Sequence, residues 1–571
     1  MARSVLTLLV ASLLTADWAH YGGGQDAARY SPAKQINRGN VSKLKIAWTY
    51  RSGDALDRPR TTIEATPIIR NGRLYLTTAR LAVAALDPAT GRELWRFDHF
   101  KGDPSPRPRG VNRGVAVWSD PASPQHERVF FTPSTAGVLY ALDAQTGKPI
   151  DGFGDNGRID LRKDAGRDIT GLTYGVTTPG VVFKDLLILG SIMGEGPMPA
   201  APGNIRAYDV RTGKLRWRFD TVPPDAKFGG ANNWGGMALD ETRGAVYIST
   251  GSPTFDFYGG DRPGDNLYGN SVVALNAATG ERLWHFQTTR HDTWDYDLPC
   301  QPILARIKPA SGKPVDTVVQ LTKTGLVWVL DRDTGKPVFG SEERKVPASD
   351  IEGEQSSATQ PFPLKPPPFA RQTVTEADLT DITPQARQAV LEEFRKFRAG
   401  KIYEPVSAKG TVVLPGFHGG ALWGGGAFDP RTGLLYVPGN NVPWVMTVVK
   451  SSNKSHPYEH TGYNRWTDPE GYPATKPPWG TITAYDLNKG EIEWQIPAGE
   501  MPALKAKGIT GTGSEIIGGA IATAGDLLFM AGTRDEKFRA YDSKSGKVLW
   551  ETELPAGGYA TPSTYTFNGK Q

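Results

Sequence analysis

One phrase recurs along this chain and constrains its fold more than anything else: an apolar pair, Asp, two variable residues, Thr-Gly, then an aromatic four residues after the Gly. It reads Ala85-Leu-Asp87 … Thr90-Gly91 … Trp95 and returns as Ala207-Tyr-Asp209 … Gly213 … Trp217. Further copies run Ala274-Leu-Asn276 … Gly280 … Trp284, Ala484-Tyr-Asp486 … Gly490 … Trp494 and Ala540-Tyr-Asp542 … Gly546 … Trp550. Weaker copies sit at Leu142–Gly147 and at Leu330–Gly335, the latter ending in Phe339. The Asp carboxylate can hydrogen-bond the turn that follows it, and Gly takes the φ > 0 position. Each unit is therefore a hairpin with one large aromatic to bury.

The Gly-to-Gly steps are 56 (91 to 147), 66 (147 to 213), 67 (213 to 280), 55 (280 to 335) and 56 (490 to 546). Phe428-Asp429 … Thr432-Gly433 lies in the remaining gap, which holds two more units. A four-stranded blade with loops takes roughly 40–50 residues. Counting a strand at Trp48, the repeats predict an all-β, eight-bladed β-propeller, in which each unit buries its faces only against its neighbours. The stretch of about 340–410 breaks the pattern with a proline run, Pro361 to Pro368, and a helix. Thr383 caps that helix, Pro384 is its first residue, Gly400 stops it, and Ala386, Val390, Phe394 and Phe397 share a face. We read it as an insertion lying on a single propeller domain of residues 17–571.

Arg3, the apolar run 5–14 and the small-residue exit at Leu14-Thr15-Ala16 predict a signal peptide over 1–16, hence a periplasmic, soluble protein. No later run is long and apolar enough for an integral membrane segment. The single cysteine, Cys300, excludes an internal disulfide, cysteine-rich metal sites and a Cys-x-x-Cys-His haem attachment. A formal charge of +5 over 571 residues, with both signs interspersed, leaves no nucleic-acid footprint.

The chemistry is concentrated in His291-Asp-Thr-Trp294-Asp295-Tyr-Asp297-Leu-Pro299. Three carboxylates and an imidazole within seven residues can hold a hard cation and supply a base; equally, Asp and Trp cap turns in all-β proteins. The segment resembles the His-Asp-x-Trp-Asp motif of dehydrogenases dependent on pyrroloquinoline quinone (PQQ), particularly the propeller domain of membrane-bound glucose dehydrogenase. The likeness runs from Asp17-Trp18 … Arg29-Tyr30-Ser31-Pro32 nearly to the C-terminus, with several separated motifs in order.

That resemblance implies an enzyme oxidising an alcohol, polyol or sugar hydroxyl with PQQ and Ca²⁺, and it implies site residues. The Asp after the motif's Trp is the family's base, here Asp295. Thr322-Lys323-Thr-Gly325 resembles the segment whose Lys bonds the quinone oxygens. Trp234 of Asn233-Trp234 matches the Trp stacked under the cofactor; it lies outside the blade repeat. Glu64 of Ile63-Glu64-Ala65-Thr66-Pro67 contacts the cofactor by the same likeness. Arg113 of Asn112-Arg113-Gly114 pairs with a carboxylate of it, Thr177 meets another, and Trp479 is a further aromatic contact. Glu195, after Gly190-Ser191, matches an acidic Ca²⁺ ligand; a second comes from Ser252 or Thr254, between which the likeness does not decide, with Asp295 beside the ion.

The chain also departs from the pattern. Related alcohol dehydrogenases cover the cofactor with a disulfide between adjacent cysteines, and sugar-oxidising relatives with a His; here Arg109 stands closest to that His, either stacking on the ring or lining the pocket mouth. Phe417 stands where a sugar-oxidising relative has Asn, which weakens a reading as a glucose enzyme, and the adjacent His418 contacts substrate or is structural. Relatives continue for another strand or two that close the ring. Without haem motif or membrane helix, electrons are expected to leave to an external acceptor, a soluble cytochrome c or a quinone. The rival readings are a non-catalytic periplasmic scaffold for outer-membrane protein assembly, which shares the blade repeat, and a propeller hydrolase, which would not need Trp234.

Overall fold

The computed structural model describes residues 18–102, 110–310, 312–453 and 456–571. The expected signal peptide and Arg109 lie outside these residues.

Seven sheets follow one another along the chain as blades, spanning residues 68–97, 116–160, 181–219, 237–287, 303–331, 427–497 and 520–553. In each, consecutive strands pair antiparallel from the innermost outwards. The fifth has three strands; the last gains a fifth from Tyr30–Ser31, which pairs parallel with Ala520–Thr523. One apolar cluster joins Ile521, Leu527 and Phe529 of the last blade to Ile68, Tyr75 and Val83 of the first, with Trp18 and Val41 between them, and so closes the ring.

The repeat does what its residues require. The carboxylate of Asp87 accepts from the amides of Ala89 and Thr90 and from the Thr90 hydroxyl at 2.9–3.0 Å. The same three bonds recur at Asp143, Asp209, Asp331 and Asp542. The glycines that follow have φ near +70°. Their second role is spatial: a Cβ on Gly147 would lie 2.4 Å from the Trp95 ring. Trp217 covers Gly280, Trp284 covers Gly335 and Trp494 covers Gly546 in the same way. The indole N–H of Trp95, Trp217 and Trp284 also donates to a carbonyl in the next blade's turn, at Ala144, Ala277 and Arg332. Where a blade lacks this Trp, Ile159 and Phe153 cover Gly213, and Phe339 reaches Gly490. From the first blade to the sixth, each thus carries an apolar plug, usually aromatic, for a glycine socket on its successor.

The eighth unit departs from expectation. Trp48 plugs Gly91 as a blade Trp would, yet residues 44–67 form only an isolated bridge between Asp57 and Arg60, not a sheet. The neighbouring chain supplies extended segments instead of strands: Tyr565 donates to the Pro88 carbonyl and packs with Trp48 and Tyr50 against the first blade.

In the insertion, Ser341–Lys345 and Thr359–Pro363 form a hairpin and Pro384–Phe394 a helix capped by the Thr383 hydroxyl on the Ala386 amide. Val390, Phe394 and Phe397 pack on Val412, Val445 and Trp466. The second of these groups reveals an excursion not anticipated from the repeat. Residues 441–479, between two strands of the sixth blade, form the pairing of Trp444–Met446 with Thr411–Val413 and Asn464–Arg465. Insertion and excursion lie together over one end of the ring.

Candidate active site

Antiparallel order decides where side chains from distant blades can meet. The loops leading into innermost strands and those between second and third strands lie at the same end of the ring. Glu64, Arg113, Thr177, Trp234, Asp295 and Asp297 come from the first kind of loop; Glu195, Ser252, Thr254 and Lys323 from the second. The Asp-x-x-Thr-Gly turns, between third and fourth strands, lie at the opposite end.

Two connected clusters result. In the first, Arg113 pairs with Glu64 at 2.9 Å and donates to the Thr177 hydroxyl at 3.1 Å. Its guanidinium lies over the rings of Trp234 and Trp423, 5.4 and 4.8 Å from their centroids. In the second, the buried Lys323 ammonium lies 2.7 Å from Asp295 and 2.8 Å from Asp297, and 5.9 Å from the Trp234 centroid. The Trp234 indole N–H donates to Asp297 at 3.2 Å, which joins the clusters. A Cβ on Gly419 would meet the Lys323 side chain at 2.4 Å, so only glycine lets the backbone turn so close to the aliphatic stem of that lysine.

The carboxylates do not share one proton affinity. Burial opposes charge on Asp297, but the Lys323 ammonium and hydrogen bonds, including one from the Ser252 amide at 2.5 Å, more than offset it and hold Asp297 below the usual carboxylate range. Burial and the neighbouring Asp297 and Glu195 charges outweigh Lys323 at Asp295 and raise its affinity for a proton well above the ordinary. Asp256, which the motifs did not single out, is fully buried, likewise raised by burial and by Asp295 and Glu195, and one of its oxygens has no hydrogen-bond partner. Glu195 borders open space while surrounded by protein, as a residue lining a hollow does; burial raises it, and Tyr463 donates to it at 3.1 Å.

The fit to a flat, polyanionic quinone and a hard cation rests on these donors. Two cations, a threonine hydroxyl and a partly open indole face suit the first. Four mutually repelling carboxylates with one ammonium between two of them, and an orphaned Asp256 oxygen, suit the second. Among the described residues, no three His, Cys, Asp or Glu side chains converge as a metal site. A hard cation takes roughly six to eight oxygens, so hydroxyls and carbonyls of 252–254 would have to contribute. The Ser252 hydroxyl lies on Asp292 at 2.5 Å, and the Thr254 hydroxyl accepts from the Gly229 amide; of the two, Ser252 directly contacts a site carboxylate.

Trp479 stands apart. It is fully buried, with its N–H on the Thr475 carbonyl and its face parallel to Tyr472, and offers no open ring face. Trp423 was legible and missed: Trp423-Gly-Gly precedes an innermost strand just as Trp234-Gly-Gly does. Behind the site, His291 meets Glu354 at 2.5 Å, both buried, which ties the chemical segment to the insertion.

Fold and site together define a propeller that gathers an indole, two cations and paired carboxylates at one end of its ring. Residues 18–571 match the family described as PQQ: glucose/ethanol/alcohol dehydrogenase, beta-propeller domain, and the chain belongs to that family of PQQ-dependent oxidoreductases. It is 36% identical to quinoprotein glucose dehydrogenase A of Acinetobacter calcoaceticus, across 98% of this chain and 77% of that one. It is 33% identical to quinate/shikimate dehydrogenase (quinone) of Acinetobacter baylyi, across 96% and 75%. The structure of quinohemoprotein alcohol dehydrogenase ADHIIG from Pseudomonas putida HK5 superposes with a TM-score of 0.70 at 28% identity, covering 97% of this chain and 75% of that one. The relatives are dehydrogenases, which disfavours the scaffold reading.

Proposed function

We propose that this protein oxidises the hydroxyl of an alcohol, polyol or sugar to a carbonyl, with Asp295 as general base and Ca²⁺ in the site, and passes the electrons to an external soluble cytochrome c or quinone. The observation that carries this reading is Lys323 shared between Asp295 and Asp297 beside the Trp234 ring.

PQQ, when bound, supplies the two-electron acceptor. The protein's part is orientation and proton transfer. Trp234 offers the platform, and its bond to Asp297 fixes the indole's tilt. Arg113 and Thr177 supply a cation and a hydroxyl for carboxylates at the platform's edge, with Glu64 holding Arg113 in place. Asp297 stays ionised and keeps Lys323 charged; Lys323 in turn bonds one oxygen of Asp295, leaving the other for the substrate hydroxyl. A buried carboxylate with raised proton affinity is the stronger base. Glu195, Ser252 or Thr254, and Asp295 would hold the metal ion, and Asp256 joins them on the strength of its unpartnered oxygen.

We further infer that residues 17–571 act as one propeller domain carrying the insertion of about 340–410, and that the apolar run 5–14 exports it to the periplasm. Among the described residues no helix is long and apolar enough to cross a membrane.

Dye-linked oxidation of a panel of alcohols and sugars by apoprotein, with and without PQQ and Ca²⁺, tests the reading. Activity that needs both is expected. Turnover without Ca²⁺ would remove the metal, and Asp295→Asn at full activity would remove the base.

A further inference from the structure

Beside the catalytic carboxylates lies a cluster of the opposite sign that the mechanism does not use. Glu515 is buried, its side chain 3% exposed, and both its oxygens are engaged. One accepts from His418 at 2.7 Å; the other pairs with Arg465 at 2.7 Å and Arg534 at 3.1 Å. The three basic side chains are 38%, 32% and 48% exposed. Among the described residues none of them has a second carboxylate partner.

The arithmetic of charge is uneven. One carboxylate faces two guanidiniums that never lose their protons, and the carboxylate is sealed while the guanidiniums reach solvent. The surface presented is therefore positive. Each guanidinium has five N–H donors in a rigid fork, far more than Glu515 can accept. Arg465 is also braced over Trp444, 4.8 Å from the ring centroid. Its backbone register opposite Trp444 in the excursion's sheet makes that position fixed.

This surface is continuous with the candidate active site. His418 precedes Gly419, which packs on Lys323. Its other neighbour, Phe417, meets Tyr463 edge-on at 5.5 Å, and Tyr463 donates to Glu195. Trp444 touches Phe417 and His418, at 5.4 and 5.2 Å between centroids. The cations thus line the same wall as the ammonium and the Glu195 carboxylate, with aromatic rings between the two charge clusters.

We propose that His418, Arg465 and Arg534, held by Glu515, form an anion subsite of the substrate pocket, so that the substrate is a hydroxy acid: its carboxylate rests on the guanidiniums while its hydroxyl reaches Asp295. The proposal rests on the dehydrogenase reading above and narrows its substrate class. The exposed Tyr463 ring, backed by the buried Phe417 and Trp444, gives the carbon skeleton an apolar surface between the two charged ends.

The test uses protein loaded with PQQ and Ca²⁺ and two matched pairs, quinate with its methyl ester and gluconate with sorbitol. For at least one pair, kcat/KM for the acid should exceed that for the neutral partner by about tenfold or more, the scale of a charge-assisted hydrogen bond. Arg465→Gln and the more exposed Arg534→Gln should each bring that ratio towards 1, mainly through KM for the acid. Binding of the acids, followed by tryptophan fluorescence, should weaken in parallel. Equal or better turnover of both neutral partners would overturn the subsite and leave the dehydrogenase standing. So would variants that lower both members of a pair alike, or that weaken PQQ binding while the ratio stays put. Arginine-dependent binding of an acid without turnover of any compound would uphold the subsite and sink the dehydrogenase reading. Neither binding nor turnover of the acids would overturn the subsite.

Discussion

The two ends of the ring are built on opposite principles. At the far end, each Asp-x-x-Thr-Gly turn satisfies itself: Asp87 bonds residues two and three positions on, and nothing distant is needed. At the site end, the charged side chains at its centre find their partners far along the chain. Lys323 is held by residues 28 and 26 positions away, and Arg113 by partners 49 and 64 positions away on either side. The far end is a set of independent local folds repeated; the site end exists only when the ring is assembled. Stability should therefore depend on the repeat and activity on the site end, with little crossover.

The sharpest test of that division is Asp295→Asn. The exchange should lower kcat by about 10²- to 10⁴-fold while leaving the midpoint of urea unfolding unchanged or higher, because a buried carboxylate with raised proton affinity opposes folding. A loss of both would show that the site end helps hold the ring. The mirror experiment is Gly147→Val, which puts a Cβ into Trp95 at a φ of +70°. It should cost about 2–5 kcal/mol in urea unfolding, with kcat of the folded fraction unchanged. Between them falls Asp297→Asn, which loosens Lys323 and Trp234 at once. A drop in kcat of about tenfold or more is expected, together with a change in Trp234 fluorescence on PQQ binding that a purely structural acid would not produce. Asp87→Ala should be mildest, lowering the calorimetric midpoint by less than Gly147→Val does, since the turn it serves is exposed. Cys300 provides a control on the interior: burial pushes its thiol up to about 12, so alkylation at neutral pH should wait for unfolding.

The same division explains what could be read from the sequence. The repeat was legible because its causes are local: the Asp, the Gly and the plug aromatic lie within a few residues. Glu64, Arg113, Thr177, Trp234 and Lys323 were reached only through their resemblance to a family, since nothing in their spacing announces that 64 and 113 meet; the carboxylates of 291–297 stood out by their density, but the base among them came from the same resemblance. Asp256, Glu515 and the arginines on Glu515 carried no local signal and no motif; of that cluster only His418 had been singled out. The eighth unit was legible only in part, for a related reason. A strand was expected at Trp48; Trp48 does cover Gly91 as a plug, but a plug shows that a blade-like surface is needed there, not that strands will form it.

The plug and its socket always belong to different blades, and this bears on how such a ring can be remade. A blade cannot be exchanged as a self-contained module, because its sequence carries half of each of two seams. A grafted unit must bring an aromatic that suits the glycine ahead of it and a glycine that admits the ring behind it. Within this chain, the units of Trp95 and Trp284 meet that condition, each with a Trp ring on its own glycine and a Trp ring on the next, and are interchangeable at their seams. The unit ending in Ile159 and Phe153 presents a different shape to Gly213 and is not. Duplication of a blade with its matched seams would lengthen the ring without disturbing any pair. Duplication of the Ile159 unit would leave one glycine facing the wrong partner.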